Sequence, residues 1–323
     1  MFHRPEARSG MALILTLAAI VLAGGLALYL QARAVELSRA ERVALKQEQL
    51  RFAAAEAARE MLLTLASDED LKVDHLGEDW AIPRETTLDN GISTWAKVED
   101  AGRFFNWNNL GVSNRSTRTS AEILLDLMTF CGELTPVVRV EALEDFLDPD
   151  DEGSYESGFY QAEDVPYDPP NRALWAPGEL LWVHDFSAAL FRPRPKADLD
   201  DLFGGDLSAS TALVPAQIET PIPININTAS RDVLMAVTGL QQDSAVRTVL
   251  ALREVQPFES LTTLFMASPE LAAALEGTLG TASTYFRVKA RASVDDQHSS
   301  VVAWVERDEV GDIQILQWID QEG

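Results

Sequence analysis

Between Glu141 and Pro170 the chain carries eleven acids and no Lys or Arg. The segment Asp148-Pro149-Asp150-Asp151-Glu152-Gly153 packs four of them into five positions. Carboxylates crowded this way repel one another unless water solvates them fully or a cation neutralises them. Hard oxygen donors suit calcium, which takes six to eight of them. The order Asp-x-Asp-x-Glu-Gly imitates the start of an EF-hand, but the twelfth loop position is Phe159, so the bidentate Glu is missing and the loop is not an EF-hand. Two readings stay open, a calcium site and a solvated acidic loop. Tyr155, Phe159, Tyr160, Tyr167 and Trp175 lie within or just beyond the stretch, so it is expected to fold.

Other chemistry is sparse. The four histidines, His3, His75, His184 and His298, are isolated in sequence. No nucleophile with a base, phosphate loop or zinc spacing is found, so no enzyme is expected. The single Cys131 excludes an intramolecular disulfide and is expected in a core. With 51 acids against 26 bases the net charge is −25, which argues against nucleic acid and anionic lipid as partners. The region after Thr228, a candidate helix cap, reads as helix, Gly239, then a second helix over about 243–254, and Pro257–Leu261 starts a third. This arrangement resembles a helix-hairpin-helix, or SAM-like, unit. Arg231, Arg247 and Arg253 meet Asp232, Asp243, Glu254 and Glu259, three bases against four acids, so no phosphate-gripping footprint is present.

The acidic segment must be held by something, and the chain begins with a candidate holder. Met11 to Leu30 contains no charge, behind Ser9-Gly10. At about 1.5 Å per residue such a helix spans roughly 30 Å, a bilayer core. The run is too long for a secretory signal peptide, and no small-x-small site follows it. A plain anchor fits. So does a prepilin leader resembling the type IV pilin class, cut by a peptidase between Gly10 and Met11. Residues 31–66 contain no Pro or Gly and are rich in Ala, Leu, Glu and Arg, so the span continues as one amphipathic helix. Leu45, Phe52, Leu62 and Leu63 are the expected apolar stripe. In the pilin class the fifth mature residue is usually Glu. Here it is Leu15, which suggests a place at the filament tip. Arg4 and Arg8 favour a cytoplasmic N-terminus.

Beyond the helix there is enough chain for about two compact lobes. Residues 67–90 read as acidic and irregular. Ile92 to Phe105 reads as two short strands around a hairpin-like Asp100-Ala101-Gly102. Asn106-Trp107-Asn108-Asn109 reads as a loop whose side chains bond their own backbone. Helices are expected from Thr119 or Ser120 through Met128 and over 136–147. At the C-terminus, Phe286, Val288, Ala290, Ala292 and Val294 alternate with Arg287, Lys289 and Arg291, and a three-strand antiparallel meander is expected.

The ordered set of pieces resembles the K-type minor pseudopilin of the type II secretion system (general secretion pathway protein K). Ser9-Gly10-Met11-Ala12-Leu13 resembles its processing site, with Leu15 for the usual Glu. Val98 to Asn108 resembles its strand-turn-strand and Asn-rich motif. Asp145-Phe146-Leu147-Asp148-Pro149-Asp150-Asp151 resembles its Asp-Trp-x-Asp-x-Asp segment. Ala162-Glu163-Asp164 with Tyr167, Gly178-Glu179-Leu180-Leu181, and Asn225-Ile226-Asn227-Thr228-Ala229 complete the set. Phe146 for Trp, and Phe104-Phe105, depart from the pattern.

The resemblance implies an α+β fold: a pilin-like head on a long N-terminal helix, with a large helical domain inserted in the sheet. It divides the chain into a leader (1–10), a transmembrane part (11–30) and an amphipathic part (31–66) of the first helix, a head (67–105 and 283–323), and the insertion (106–282) holding the acidic loop (141–170). It implies calcium bound near the acidic segment, with Asp148, Asp150, Asp151, Glu163 and Asp164 as candidate ligands. It implies a subunit of the inner membrane, single-pass, with its head in the periplasm. Prepilin peptidase would process it and methylation of Met11 would follow. The I-type and J-type minor pseudopilins and the inner-membrane secretion platform are the implied partners, and starting pseudopilus assembly for protein export is the implied role. The alternative is a minor type IV pilin for adhesion or DNA uptake.

Overall fold

The computed structural model describes residues 6–113, 118–192, 206–240, 242–267 and 277–322, with side chains over most of that range. The first five leader residues, with His3 and Arg4, and the segment 193–205 lie outside the described residues.

Helix α1, Glu6–Ala66, runs for 61 residues, about 90 Å at 1.5 Å per residue. Residues 11–45 are exposed on every side. The stretch from Met11 is long and apolar enough to cross a membrane. From Leu50 onward one face turns inward: Leu50, Ala54, Ala58, Met61 and Leu65 are buried. The expected stripe is corrected on this point. Only Leu62 of it is buried, while Leu45, Phe52 and Leu63 are at least 60 % exposed. At 100° per residue, Leu45, Phe52 and Leu63 share one face and Leu50, Met61 and Leu65 the opposite one. The helix has two apolar faces, and the head takes the one with the small residues.

The head strands are β1 (Arg84–Thr87) and β2 (Ser93–Asp100). The chain then leaves the sheet for β3 (Phe105–Asn106), α2 (Ser120–Phe130), α3 (Pro136–Leu147), α4 (Ser157–Tyr160), α5 (Leu207–Ser210), β4 (Thr211–Ala212), β5 (Ile224–Asn225), α6 (Arg231–Thr238), α7 (Asp243–Val255), α8 (Leu261–Ala267) and β6 (Leu279–Gly280). It returns as β7 (Tyr285–Val294), β8 (Gln297–Arg307) and β9 (Ile313–Glu322). The sheet order is β1-β2-β7-β8-β9, every pair antiparallel. The helical part therefore sits between two adjacent strands, β2 and β7. Strict alternation explains the sheet. Ala96, Val98, Phe286, Val288, Ala290, Ala292, Val301, Ala303 and Val305 face α1 and are buried with it. Alanines on both the helix and the sheet let the two approach closely.

Two local expectations change. Residues 84–87, read as irregular, form β1, hairpin-paired to β2 across a turn in which Gly91 has φ +81°. That conformation favours glycine. Val98–Phe105 is no hairpin. Asp100 accepts a bond from the Gly102 amide at 2.7 Å and starts a tight turn. Phe105–Asn106 then pairs in parallel with Thr211–Ala212, outside the main sheet.

The Asn-rich motif is corrected too. Its side chains bond distant backbone, not their own. Asn108 donates to the carbonyls of Leu174 and Val214, each at 3.0 Å, and accepts from the Leu174 amide at 2.8 Å. Asn106 accepts from the Val214 amide, and Asn109 bonds both the amide and the carbonyl of Ile222. Three buried amides thus replace strand pairing as the tie between irregular segments, satisfying backbone groups that would otherwise be orphaned.

Candidate metal centre

The acidic segment is anchored at both ends by helices. α3 is amphipathic, starts with Pro136 at its first position and buries Leu143, Phe146 and Leu147. Asp145 lies on the same buried side, 9 % exposed, and Asp148 caps the helix. The chain then reverses and returns through Gly153 to Glu156, just ahead of α4. Tyr160 of α4 is fully buried and packs edge-on against Phe146, 5.5 Å between ring centroids. This aromatic contact closes the loop and brings its two ends together.

The result is a group of three carboxylates. Asp145, Asp148 and Glu156 each present an oxygen, and the three oxygens lie within 4.8 Å of one another. Asp145 also accepts from the Tyr155 amide at 2.8 Å. Glu156 is 6 % exposed, yet neither of its carboxylate oxygens has a hydrogen-bond partner, and Asp148 Oδ1 also lacks one. A Cβ placed on Gly153 would stand 2.3 Å from Asp145 Oδ2, so the backbone passes where no side chain fits. Loss of water, then repulsion from Asp145, Asp148, Asp151 and Asp150, pushes Glu156 up to about 7. Desolvation and the neighbouring Asp150 and Asp145 raise Asp148 as well. Two buried acids and one half-buried one, with no base paired to them among the described residues and with three orphaned oxygens, form a donor set suited to a hard cation.

Of the sequence candidates, Asp148 belongs to this group. Asp150 and Asp151 are exposed on the loop beyond it, and Asp150 instead accepts from the Glu152 amide at 2.9 Å. Glu163 and Asp164 are exposed past α4 and are not among the three. Asp145 and Glu156 were missed as candidates. Asp145 stands three residues before Asp148, one helical turn away on the same side, and that spacing was the available signal. Gly10 lies in the backbone of α1, and Met11 and Leu15 are exposed on it, 65 % and 64 %.

A second acidic group, Asp68, Asp74 and Glu78, has a different character. Arg307 fills it, bonding Asp68 at 2.7 Å and Asp74 at 2.6 Å. Burial pushes Asp74 up to about 7 against the pull of Arg307, and desolvation pushes Glu78 to about 7. The Asn225–Ala229 motif reaches the same seam. Asn225 donates to the Asp74 carbonyl and to Asp100 Oδ2, and Thr228 donates to Asp100 as well. Thr228 is therefore not the helix cap, and Ser230 caps α6 by accepting from the Val233 amide. The three arginines of the helix–Gly–helix unit are engaged internally. Arg231 and Arg247 bond Asp243, and Arg253 donates to the carbonyls of Ile226 and Ala229.

No protein-family model and no curated protein matches the chain. Among solved structures, it is similar to a chain of the crystal structure of the GspK-GspI-GspJ complex from the enterotoxigenic Escherichia coli type 2 secretion system. The TM-score is 0.66 at 20 % identity, covering 87 % of this chain and 99 % of that one. The long helix, the antiparallel sheet and the helical part set between β2 and β7 are thus one fold, shared with a subunit of that secretion complex.

Proposed function

We propose that this protein is a K-type minor pseudopilin, placed at the tip of a type II secretion pseudopilus, where it starts assembly with I-type and J-type partners. The observation that carries the reading is the shared fold over 99 % of the similar chain, together with the uncharged helix start at Met11. In this reading α1 is first a membrane anchor and later a packing helix. Leu15, without the carboxylate that would neutralise the amine of a neighbour above, suits a subunit with no other above its own place in the stack. The head stands on the periplasmic side of the inner membrane, prepilin peptidase cuts between Gly10 and Met11, and methylation of Met11 follows. The protein acts by assembly and not by catalysis.

Calcium is part of the same proposal. Asp145, Asp148 and Glu156 would hold it, and its charge would offset the repulsion between these acids. The exposed Asp150 and Asp151 are near enough in sequence to complete the shell with water. Glu163 and Asp164 have no such support.

The full chain, extracted in detergent with the I-type and J-type minor pseudopilins co-expressed, tests the reading. Co-purification of all three, with mass spectrometry placing the mature N-terminus at Met11, is the expected result. A chain that retains residues before Met11 and purifies alone overturns it.

A further inference from the structure

The sheet face turned away from α1 carries a cationic island on a chain of net charge −25. Strands β2 and β7 pair Trp95 with Arg291, Lys97 with Lys289, and Glu99 with Arg287. All six side chains lie on this outer face, because the alternate positions are buried against α1. Lys97 and Lys289 are therefore direct cross-strand neighbours, and like charges so placed destabilise a sheet.

Compensation is incomplete. Glu99 alone serves three cations: Arg287 at 2.7 Å, Lys289 at 2.9 Å and Lys97 at 3.6 Å. Those cations hold its carboxyl down at about 2, although its burial opposes them. Arg291 is exposed, and it forms no ion pair among the described residues. Three cations thus share one carboxylate, and the fourth has none. Glu85 lies across from Trp95 on β1, and Glu306 stands at the far end beside Tyr285. Neither is within ion-pair distance of the four. Arg287 is fixed over the rings of Phe104 and Trp304, at 5.1 and 5.2 Å, so part of the island is ordered in advance. A groove of about 560 Å³ crosses the face, lined by Trp95, Lys289, Arg291, Val302 and Gln321, with Glu85 as its one acid.

A sequence with twice as many acids as bases has broken a local pairing rule here, and such breaks mark functional positions. We propose that this face docks a carboxylate-rich, extended segment of a partner protein, with its acids on Lys97, Lys289 and Arg291 and its chain over Trp95. Charge complementarity selects the ligand, since elsewhere the acidic head repels such a segment. Lipid headgroups are disfavoured by position. Lys46 bonds Asp295 in the turn at the sheet's near end, 2.6 Å apart. Lys46 is sixteen residues beyond Leu30, about 24 Å along the helix. That is well over the Debye length of about 8 Å at physiological salt, and Asp295 and Asp296 stand between. The inference does not depend on the secretion reading.

Fluorescence anisotropy of a labelled octaglutamate peptide, titrated with the full chain in detergent micelles, tests the proposal. Saturable binding is expected at low salt, weakened about ten-fold at roughly 0.3 M salt. Arg291→Glu, at an exposed position without an ion pair, should weaken it about ten-fold with an unchanged melting curve. Lys289→Gln should weaken it less. Absence of binding, or equal binding by Arg291→Glu, overturns the proposal. Binding to phosphatidylglycerol vesicles that Arg291→Glu abolishes, without octaglutamate binding, overturns it in favour of a membrane contact.

Discussion

Arg307 and Asp74 form an ion pair shut off from water, 2.6 Å apart with side chains 2 % and 0 % exposed. Arg307 comes from the end of β8 and Asp74 from the loop after α1, and Asn225 of the inserted part donates to the Asp74 carbonyl. Asp74 therefore joins the loop after α1 to the sheet through Arg307 and to the insertion through Asn225. Arg307→Met should leave Asp74 and Asp68 buried without a counter-charge. The expected loss is about 3–5 kcal/mol, seen as a lower urea midpoint. A change below about 1 kcal/mol would show that the pair is dispensable.

Glu156 sets the pH behaviour of the acidic centre. Its carboxyl titrates near 7 in the folded chain against an ordinary value of 4.5, so between those values the native state binds more protons than the unfolded one. Metal-free stability from this group therefore falls as pH rises from about 4.5 to about 7. Calcium needs the deprotonated form, so its effect should grow across the same window. Added at about a hundred times its dissociation constant, it should contribute about 2.7 kcal/mol. Differential scanning calorimetry with chelator or calcium at pH 5.5 and 7.5 measures both trends. Glu156→Gln should melt no lower than the parent in chelator and should lose the calcium shift. A calcium shift equal in Glu156→Gln and the parent, or no shift in either, removes the site.

Regular elements with clear periodicity were legible in the sequence. The alternation in β7 and the capped start of α2, where Thr119 and Glu122 exchange bonds with each other's backbone, needed only local rules. What was not legible depends on contacts far apart in the chain. Nothing near Asn108 announces that Leu174 and Val214 will supply its partners, so a turn-forming asparagine and a buried tie look alike. The same holds for α1, where both faces are apolar and the choice between Phe52 and Met61 is made by a sheet whose strands β7 and β8 lie more than two hundred residues away. In the acidic segment the charge density was plain. Which three acids converge depended on the aromatic contact between Phe146 and Tyr160.

The two faces of α1 should respond oppositely to truncation. Met61 is fully buried between helix and sheet, and Met61→Ala should cost about 2–5 kcal/mol. Phe52 is 65 % exposed, and Phe52→Ser should stay within about 0.5 kcal/mol of the parent. Thermal melts of the full chain in one detergent compare the pair. Equal losses would mean that the head grips both faces. A larger loss at Phe52 would restore the stripe read from the sequence.

The asparagine ties make the sharpest test of the insertion. Asn108 is 1 % exposed and satisfies three backbone groups, the amide and carbonyl of Leu174 and the carbonyl of Val214. Asn108→Leu keeps similar volume and leaves all three without partners in a dry setting. Each orphaned group costs about 1–3 kcal/mol, so a loss of roughly 3 kcal/mol or more is expected. The effect should be local as well as global. Amide exchange at Leu174 should accelerate strongly, because its acceptor is gone. Exchange at Ile222, held by Asn109 at 2.9 Å, should change only as far as global stability does. If the two amides accelerate alike and the urea midpoint is unmoved, Asn108 does not tie these segments, and their packing on Trp107 and Leu174 holds them instead.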